Sequence, residues 1–148
     1  MKTELGEAPS VQCIAKLVSS VNYSNKQLVA ASLVAGWDPE DGGQVYGVPV
    51  GGTLVREPWA IDGSGSTYIW GFMDSAFRDD FTKAEAQEFV KESIALAMAR
   101  DGSSGGVIRM HTVDSSGAEY KFIQGPEVPL YGEDLPFVSA REMQGVVV

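Results

Sequence analysis

Two short loops in this 148-residue sequence concentrate the residue types that can do chemistry: Asp62-Gly63-Ser64-Gly65-Ser66-Thr67 and Asp101-Gly102-Ser103-Ser104-Gly105-Gly106. Glycine lets a backbone approach a ligand or another segment closely, and serine places a donor and acceptors in the same space. A glycine–serine loop that opens a helix can also bind an anion through free N–H groups and the helix dipole. The first loop has no third glycine in register and no following lysine, so it is neither a dinucleotide fingerprint nor a phosphate loop. It also lacks the Gly-x-Ser-x-Gly spacing of a nucleophile elbow, and a serine triad would have only His111 as its base. Read alone, the two loops are turns, or else an anion- or nucleotide-binding feature of a small module.

Other chemistry is sparse. Asp79-Asp80 and Glu40-Asp41 read as solvated turn residues rather than an acid–base pair. The single cysteine, Cys13, excludes an internal disulfide framework and a cysteine-rich metal site, and its apolar surroundings predict a buried structural thiol. The single histidine, His111, excludes a multi-histidine metal site and is expected at a partly exposed strand position. No cofactor is implied. A net charge of −9 argues against attraction to nucleic acid or to an anionic membrane. No apolar stretch has the length of a membrane span, and Met-Lys-Thr-Glu-Leu does not read as a secretion signal, so a reducing, intracellular compartment is expected.

The elements that must position these loops follow from periodicity. Val11, Ile14, Ala15, Val18 and Val21 recur at helical spacing behind Ser10, predicting a helix to about Asn25. The run Leu28 to Trp37 predicts a buried strand, Asp41-Gly42-Gly43 a turn, Gln44 to Val50 a returning strand, and Thr53 to Arg56 a third. Trp59-Ala60-Ile61 reads as a short strand, followed after the first loop by a helix through Tyr68, Phe72 and Ala76 that ends near Arg78. Thr82 and Glu85 form a capping box opening a second helix, with Ala86, Phe89, Val90, Ile94, Ala97 and Met98 as its apolar face. Gly102 is expected to end it in the left-handed conformation. Two strands, to Val113 and from Ala118 to Ile123, flank the turn Asp114-Ser115-Ser116-Gly117 as a hairpin. The order is α+β with antiparallel pairing.

Several segments in this order resemble the proteasome beta subunits. They are Val34-Ala35-Gly36-Trp37-Asp38, Gly42 to Gly47, Gly51-Gly52, Ala60 to Tyr68, Thr82 to Ala86, and Ala95 to Ile108. The resemblance covers about residues 8 to 126. Within the family the chain is most similar to the eukaryotic caspase-like subunit, which cuts after acidic residues. The Gly36-Trp37-Asp38 to Tyr46 stretch and the loop from Arg100 to Gly106 carry that narrower likeness.

The resemblance implies the αββα sandwich of the N-terminal-nucleophile hydrolases, of which this chain would cover the C-terminal half to two-thirds. A proteasome-type domain would then occupy 1–126 and an extended C-terminal tail 127–148. It implies stacked seven-membered rings with other alpha and beta subunits, unfolded polypeptide as substrate, and residence in cytoplasm and nucleus. In the family an N-terminal threonine attacks the peptide carbonyl with its own α-amine as general base. Ser64, Asp101 and Ser104 match the family positions that hydrogen-bond around that amine and position a water. The segment carrying the threonine, its lysine and the oxyanion donor has no counterpart here, and Thr3 is not a substitute. No activity is therefore expected of the chain alone: it is a fragment of a threonine endopeptidase subunit or a non-catalytic scaffold. A sandwich needs both sheets to cover its core, so apolar faces such as Leu28 to Val34 are expected to lack partners.

Overall fold

The computed structural model describes residue 6 and residues 8–131. Helix α1, Val11–Ser24, starts where expected: the Ser10 hydroxyl accepts from the Cys13 N–H at 3.2 Å. A second carboxylate-based cap was not anticipated. Asp38 Oδ2 accepts from the Val11 N–H at 2.9 Å, fixing the helix start to the sheet beneath it. Val11 and the fully buried Ala15 pack on Tyr46, with Val34 and Leu54 at the margin. Cys13, expected inside, is exposed. Two positions separate it from Val11 and Ala15, which on a helix places it about 200° round from that buried stripe.

The first sheet is antiparallel in the order β1 (Ser32–Asp38), β2 (Gly42–Val48), β3 (Val55–Glu57). The reversal between β1 and β2 lies at Pro39–Asp41, earlier than expected, and Gly42 and Gly43 are already paired with Asp38 and Trp37. Asp38 decides this: its Oδ1 accepts from the N–H groups of Glu40 and Asp41 at 3.2 and 2.8 Å, closing the turn before the glycines. Strand β1 starts at Ser32 rather than Leu28, and Val29 is 87% exposed. Along β1, Val34 and Gly36 face α1, whereas Leu33, Ala35 and Trp37 face outward. An unbroken apolar run therefore serves a sheet that α1 covers on one face only. Beyond the outward face, a cavity of about 510 Å³ separates Ala35 and Val45 from His111 and Val113 of the second sheet.

Trp59 to Ile61 forms no strand, since Trp59 is committed to an aromatic cluster with Trp70 and Phe77 at centroid distances of 5.5 and 6.3 Å. A 3₁₀ turn, Ser64–Tyr68, leads into α2, Trp70–Ala76. The buried positions here are Ile69 and Met73; Tyr68, expected on the apolar face, is exposed. Helix α3, Lys83–Arg100, opens on the anticipated capping box, with Thr82 N–H to Glu85 Oε2 at 2.8 Å and Glu85 N–H to Thr82 Oγ1 at 3.3 Å. It is gripped on two sides. Phe89 and Ala97 join Ile69 and Met73, while Ala95 packs on Ile108 and Val128. Val90 and Ile94, placed on the apolar face by periodicity, are 44% and 38% exposed because the burial divides around them.

The helix exits through Asp101 in an extended conformation (φ −96°), and the residue with positive φ in this loop is Gly106, at +93°, rather than Gly102. Strands β4 (Ile108–Asp114) and β5 (Gly117–Ile123) form the anticipated hairpin, with His111 exposed on β4. Lys83 ties the hairpin to the start of α3 through Asp114 and Glu119, at 3.1 and 3.0 Å. Of the tail expected at 127–148, residues from 132 onward lie outside the described residues, as does Thr3.

A glycine is required where the turn after β2 meets the backbone of α1. Gly52 has φ +83°, and a Cβ there would lie 2.7 Å from Ser19 O and 2.8 Å from the Tyr23 nitrogen. The Ser19 hydroxyl donates to the Gly52 carbonyl across the same junction. Gly52→Ala is expected to destabilise the protein by about 2 kcal/mol or more, seen as a lower urea midpoint, while Thr53→Ala stays within about 0.5 kcal/mol. Equal midpoints for the two variants would show that α1 can shift to admit the methyl.

Candidate functional site

The last turn of α3 delivers Asp101 to the underside of the first glycine–serine loop. Its Oδ2 accepts from Ser64 Oγ at 2.6 Å and from Ser104 Oγ at 2.5 Å, and its Oδ1 accepts from the Ser103 N–H at 3.0 Å. The structure thus brings together all three residues singled out in the sequence, from loops 37 positions apart. Asp101 is only 7% exposed, Ser104 is half-buried and Ser64 is exposed, so the cluster opens to solvent through its hydroxyls.

Local structure explains why the loops meet. The Asp101 N–H is spent on Ala97 O at 2.8 Å, and Ser104 N–H returns to Asp101 O at 3.1 Å, making a tight turn that folds Ser104 back over the carboxylate. On the opposite side, Ser66 N–H bonds to Gly63 O at 3.1 Å and starts the 3₁₀ turn. Gly65 is the residue that sequence reasoning missed. It is buried, and a Cβ there would lie 2.9 Å from Ser104 Oγ, 3.1 Å from Ala97 Cβ and 3.4 Å from Asp101 Oδ2. The alternation Gly63-Ser64-Gly65-Ser66 contains that signal only as composition, because what crowds Gly65 comes from α3.

The hydrogen-bond directions set what this cluster can do. Both serine protons are committed to the carboxylate, so each hydroxyl presents lone pairs outward. The cluster carries one negative charge and offers acceptors, the complement of an ammonium or of a water that donates onward. A phosphate would meet the Asp101 charge, which weighs against the anion-binding reading of the loop. Bonds from Ser104, then Ser64, then the Ser103 N–H hold the Asp101 carboxyl below its ordinary range, so it is ionised at neutral pH.

A second buried carboxylate with a lowered pKa, Asp38 beneath the start of α1, is structural. Asp38 receives N–H groups from Asp41, Val11 and Glu40 and the side-chain amide of Gln44 (2.7 Å), while Tyr46 donates to Gln44 Oε1 at 2.9 Å. All its donors are internal, and nothing is left facing outward.

Residues 2–113, which include Ser64, Asp101 and Ser104, match the family model described as Proteasome subunit. The chain belongs to the proteasome subunit family. It is 51% identical over 132 residues to Proteasome subunit beta type-6 of Dictyostelium discoideum, covering 88% of this chain and 62% of that protein. With Proteasome subunit beta type-6 of Arabidopsis thaliana the identity is 44%, covering 88% of this chain and 56% of that protein. With Proteasome subunit beta type-9 of Rattus norvegicus it is 46%, covering 88% and 60%. Within the proteasome family the chain is therefore of the beta kind, and it spans 56–62% of the length of these three relatives. Its antiparallel sheets, with α1 on one side and α2–α3 against the other end, are part of the N-terminal-nucleophile hydrolase fold of that family.

The depressed Asp101 value has a definite sign in stability. A carboxylate whose folded pKa lies below its unfolded one contributes stability above about pH 3.9, lost as pH falls through the lowered value. The gap in urea midpoint between the wild type and Asp101→Asn is therefore expected to be wide at neutral pH and to narrow on acidification below about pH 3.9, as the carboxylate takes up its proton. A gap that stays constant with pH would mean that the serines do not depend on the charge.

Proposed function

We propose that this chain is the part of a proteolytic proteasome beta subunit that forms the receiving wall for an N-terminal threonine. The observation that carries the reading is the double acceptance at Asp101 Oδ2, at 2.6 and 2.5 Å, which leaves two hydroxyl oxygens turned outward beside one buried negative charge. An α-amine that alternates between amine and ammonium while acting as general base is well matched to such a wall: the hydroxyls accept its N–H groups, and the carboxylate favours its charged state. Ser64 and Ser104 then orient the amine or the water that carries its proton, and Asp101 supplies the field. The nucleophile, its lysine and the oxyanion donor are not among the residues of this wall.

The subunit would act within the core particle, beside other alpha and beta subunits in stacked seven-membered rings, on unfolded polypeptide in ATP- and ubiquitin-dependent degradation in cytoplasm and nucleus. The domain is taken as residues 1–126, with the tail from 127 reaching towards neighbouring subunits. Cleavage after acidic residues is the narrower part of the proposal, supported by the likeness of Gly36-Trp37-Asp38 and the Arg100–Gly106 loop to the caspase-like subunit.

The test uses the assembled core particle containing the subunit. Asp101→Asn is expected to lower the peptidase kcat roughly 10- to 100-fold with little change in KM and normal assembly on native gels. Fluorogenic peptides ending in Glu or Asp should lose most of their turnover, while those ending in Leu or Arg keep theirs. Unchanged turnover of every peptide would leave a scaffold subunit, and loss confined to the Leu or Arg peptides would overturn the acidic preference.

A further inference from the structure

The wall has a back as well as a face. The loop carrying Ser104 is anchored at Asp101 and at Ile108, where β4 begins, and Ile108 pairs with Ile123 at the end of β5. The chain leaving β5 therefore emerges beside the site loop and turns there: Glu127 N–H bonds to Gln124 O at 2.9 Å and Val128 N–H to Gly125 O at 3.1 Å. Gly125 abuts the loop closely enough that a Cβ on it would lie 3.2 Å from Gly106 O. Val128 is buried on Ala95 and Ile108. Further on, Tyr131 donates its hydroxyl to Glu92 Oε1 at 3.2 Å, on the same helix that ends in Asp101. Between these two attachments a cavity of about 250 Å³ remains, lined by Ser104, Ala95, Met98, Val128, Leu130 and Tyr131.

We propose that residues 125–131 form a strap that sets Ser104 against Asp101, with Gly125 and Val128 as positioning residues of the site and Tyr131 as the latch on α3. The proposal rests on the reading of Ser64, Asp101 and Ser104 as a catalytic wall. Packing explains why a strap is needed. Ser104 is drawn towards Asp101 by its N–H bond to Asp101 O and its hydroxyl bond to the carboxylate, while its other side borders a cavity of about 250 Å³, so the loop has room to shift backwards unless something packs behind it. The segment touching Gly106 and burying Val128 supplies the missing constraint. A displacement of the loop by a fraction of an ångström would lengthen the 2.5 Å bond to Asp101 and turn the free lone pairs of Ser104 away from their ligand. The strap packs on the site loop from behind, through Gly106 and the cavity that Ser104 borders, so its influence should fall on turnover rather than on peptide binding.

Gly125→Ala is the decisive variant: its φ is ordinary for any residue, so the added methyl acts mainly through Gly106. In assembled particles it should lower kcat about fivefold at unchanged KM, and the effect should vanish in a Ser104→Ala background, where nothing is left to position. A merely structural role would lower both backgrounds alike, and that result, or an unchanged kcat, overturns the strap. Should the Gly125→Ala subunit fail to enter the particle, Tyr131→Phe, which removes only the bond to Glu92, is expected to show the same coupling to Ser104, and its absence there counts against the strap. Asp101→Asn in the same particles separates the two ideas. Turnover that is sensitive to Asp101 but indifferent to the strap variants refutes the strap alone, whereas indifference to Asp101 refutes the wall itself.

Discussion

One carboxylate oxygen, Oδ2 of Asp101, holds the site together. It lies at the end of the long helix α3 and is nearly buried, a costly place for a charge unless donors surround it. The donors it collects are the hydroxyls of two loops that lie far apart in the sequence. Much of the rest follows from that need. Gly65 must lack a side chain so that Ser104 can come close, and Ala97 must be small so that Gly65 can lie against the helix. The core of Ile69, Met73 and Phe89 keeps the 3₁₀ turn and α3 at the separation which those bonds require.

A comparison within the chain shows what separates a structural carboxylate from a candidate functional one. Asp38 and Asp101 each end an element, are largely buried and have lowered pKa values. Asp38 draws on three backbone N–H groups and an amide, donors that are used up by bonding to it. Asp101 draws on one backbone N–H and two hydroxyls, and the hydroxyls donate inward while they can still accept from outside. Type of donor, rather than burial or pKa, distinguishes them.

What could be read from the sequence divides along the same line of locality. The Ser10 cap, the Thr82–Glu85 box and the Asp114–Gly117 turn were legible because each is made by residues within a few positions of one another. The turn after β1 was misplaced because a visible Gly42-Gly43 pair competed with Asp38, whose side chain closes the turn earlier. Apolar neighbours in the sequence place Cys13 inside, and apolar periodicity places Val90 and Ile94 there; both signals report local composition or a helix, but not which neighbours surround it. Ser64, Asp101 and Ser104 were recognisable through resemblance, yet their sharing of a single oxygen and the role of Gly65 are products of tertiary geometry. No spacing in the sequence encodes them.

The outward face of β1 carries a consequence for how the chain's stability must be described. Leu33 is 45% exposed and Trp37 36%, although both belong to an antiparallel sheet whose other side is well packed. Whatever covers these side chains binds the folded chain and not the unfolded one, so it shifts the folding equilibrium by mass action. Where that covering surface is a separate molecule, the unfolding free energy of this polypeptide rises with the molecule's concentration, and a melting temperature has meaning only when quoted with it.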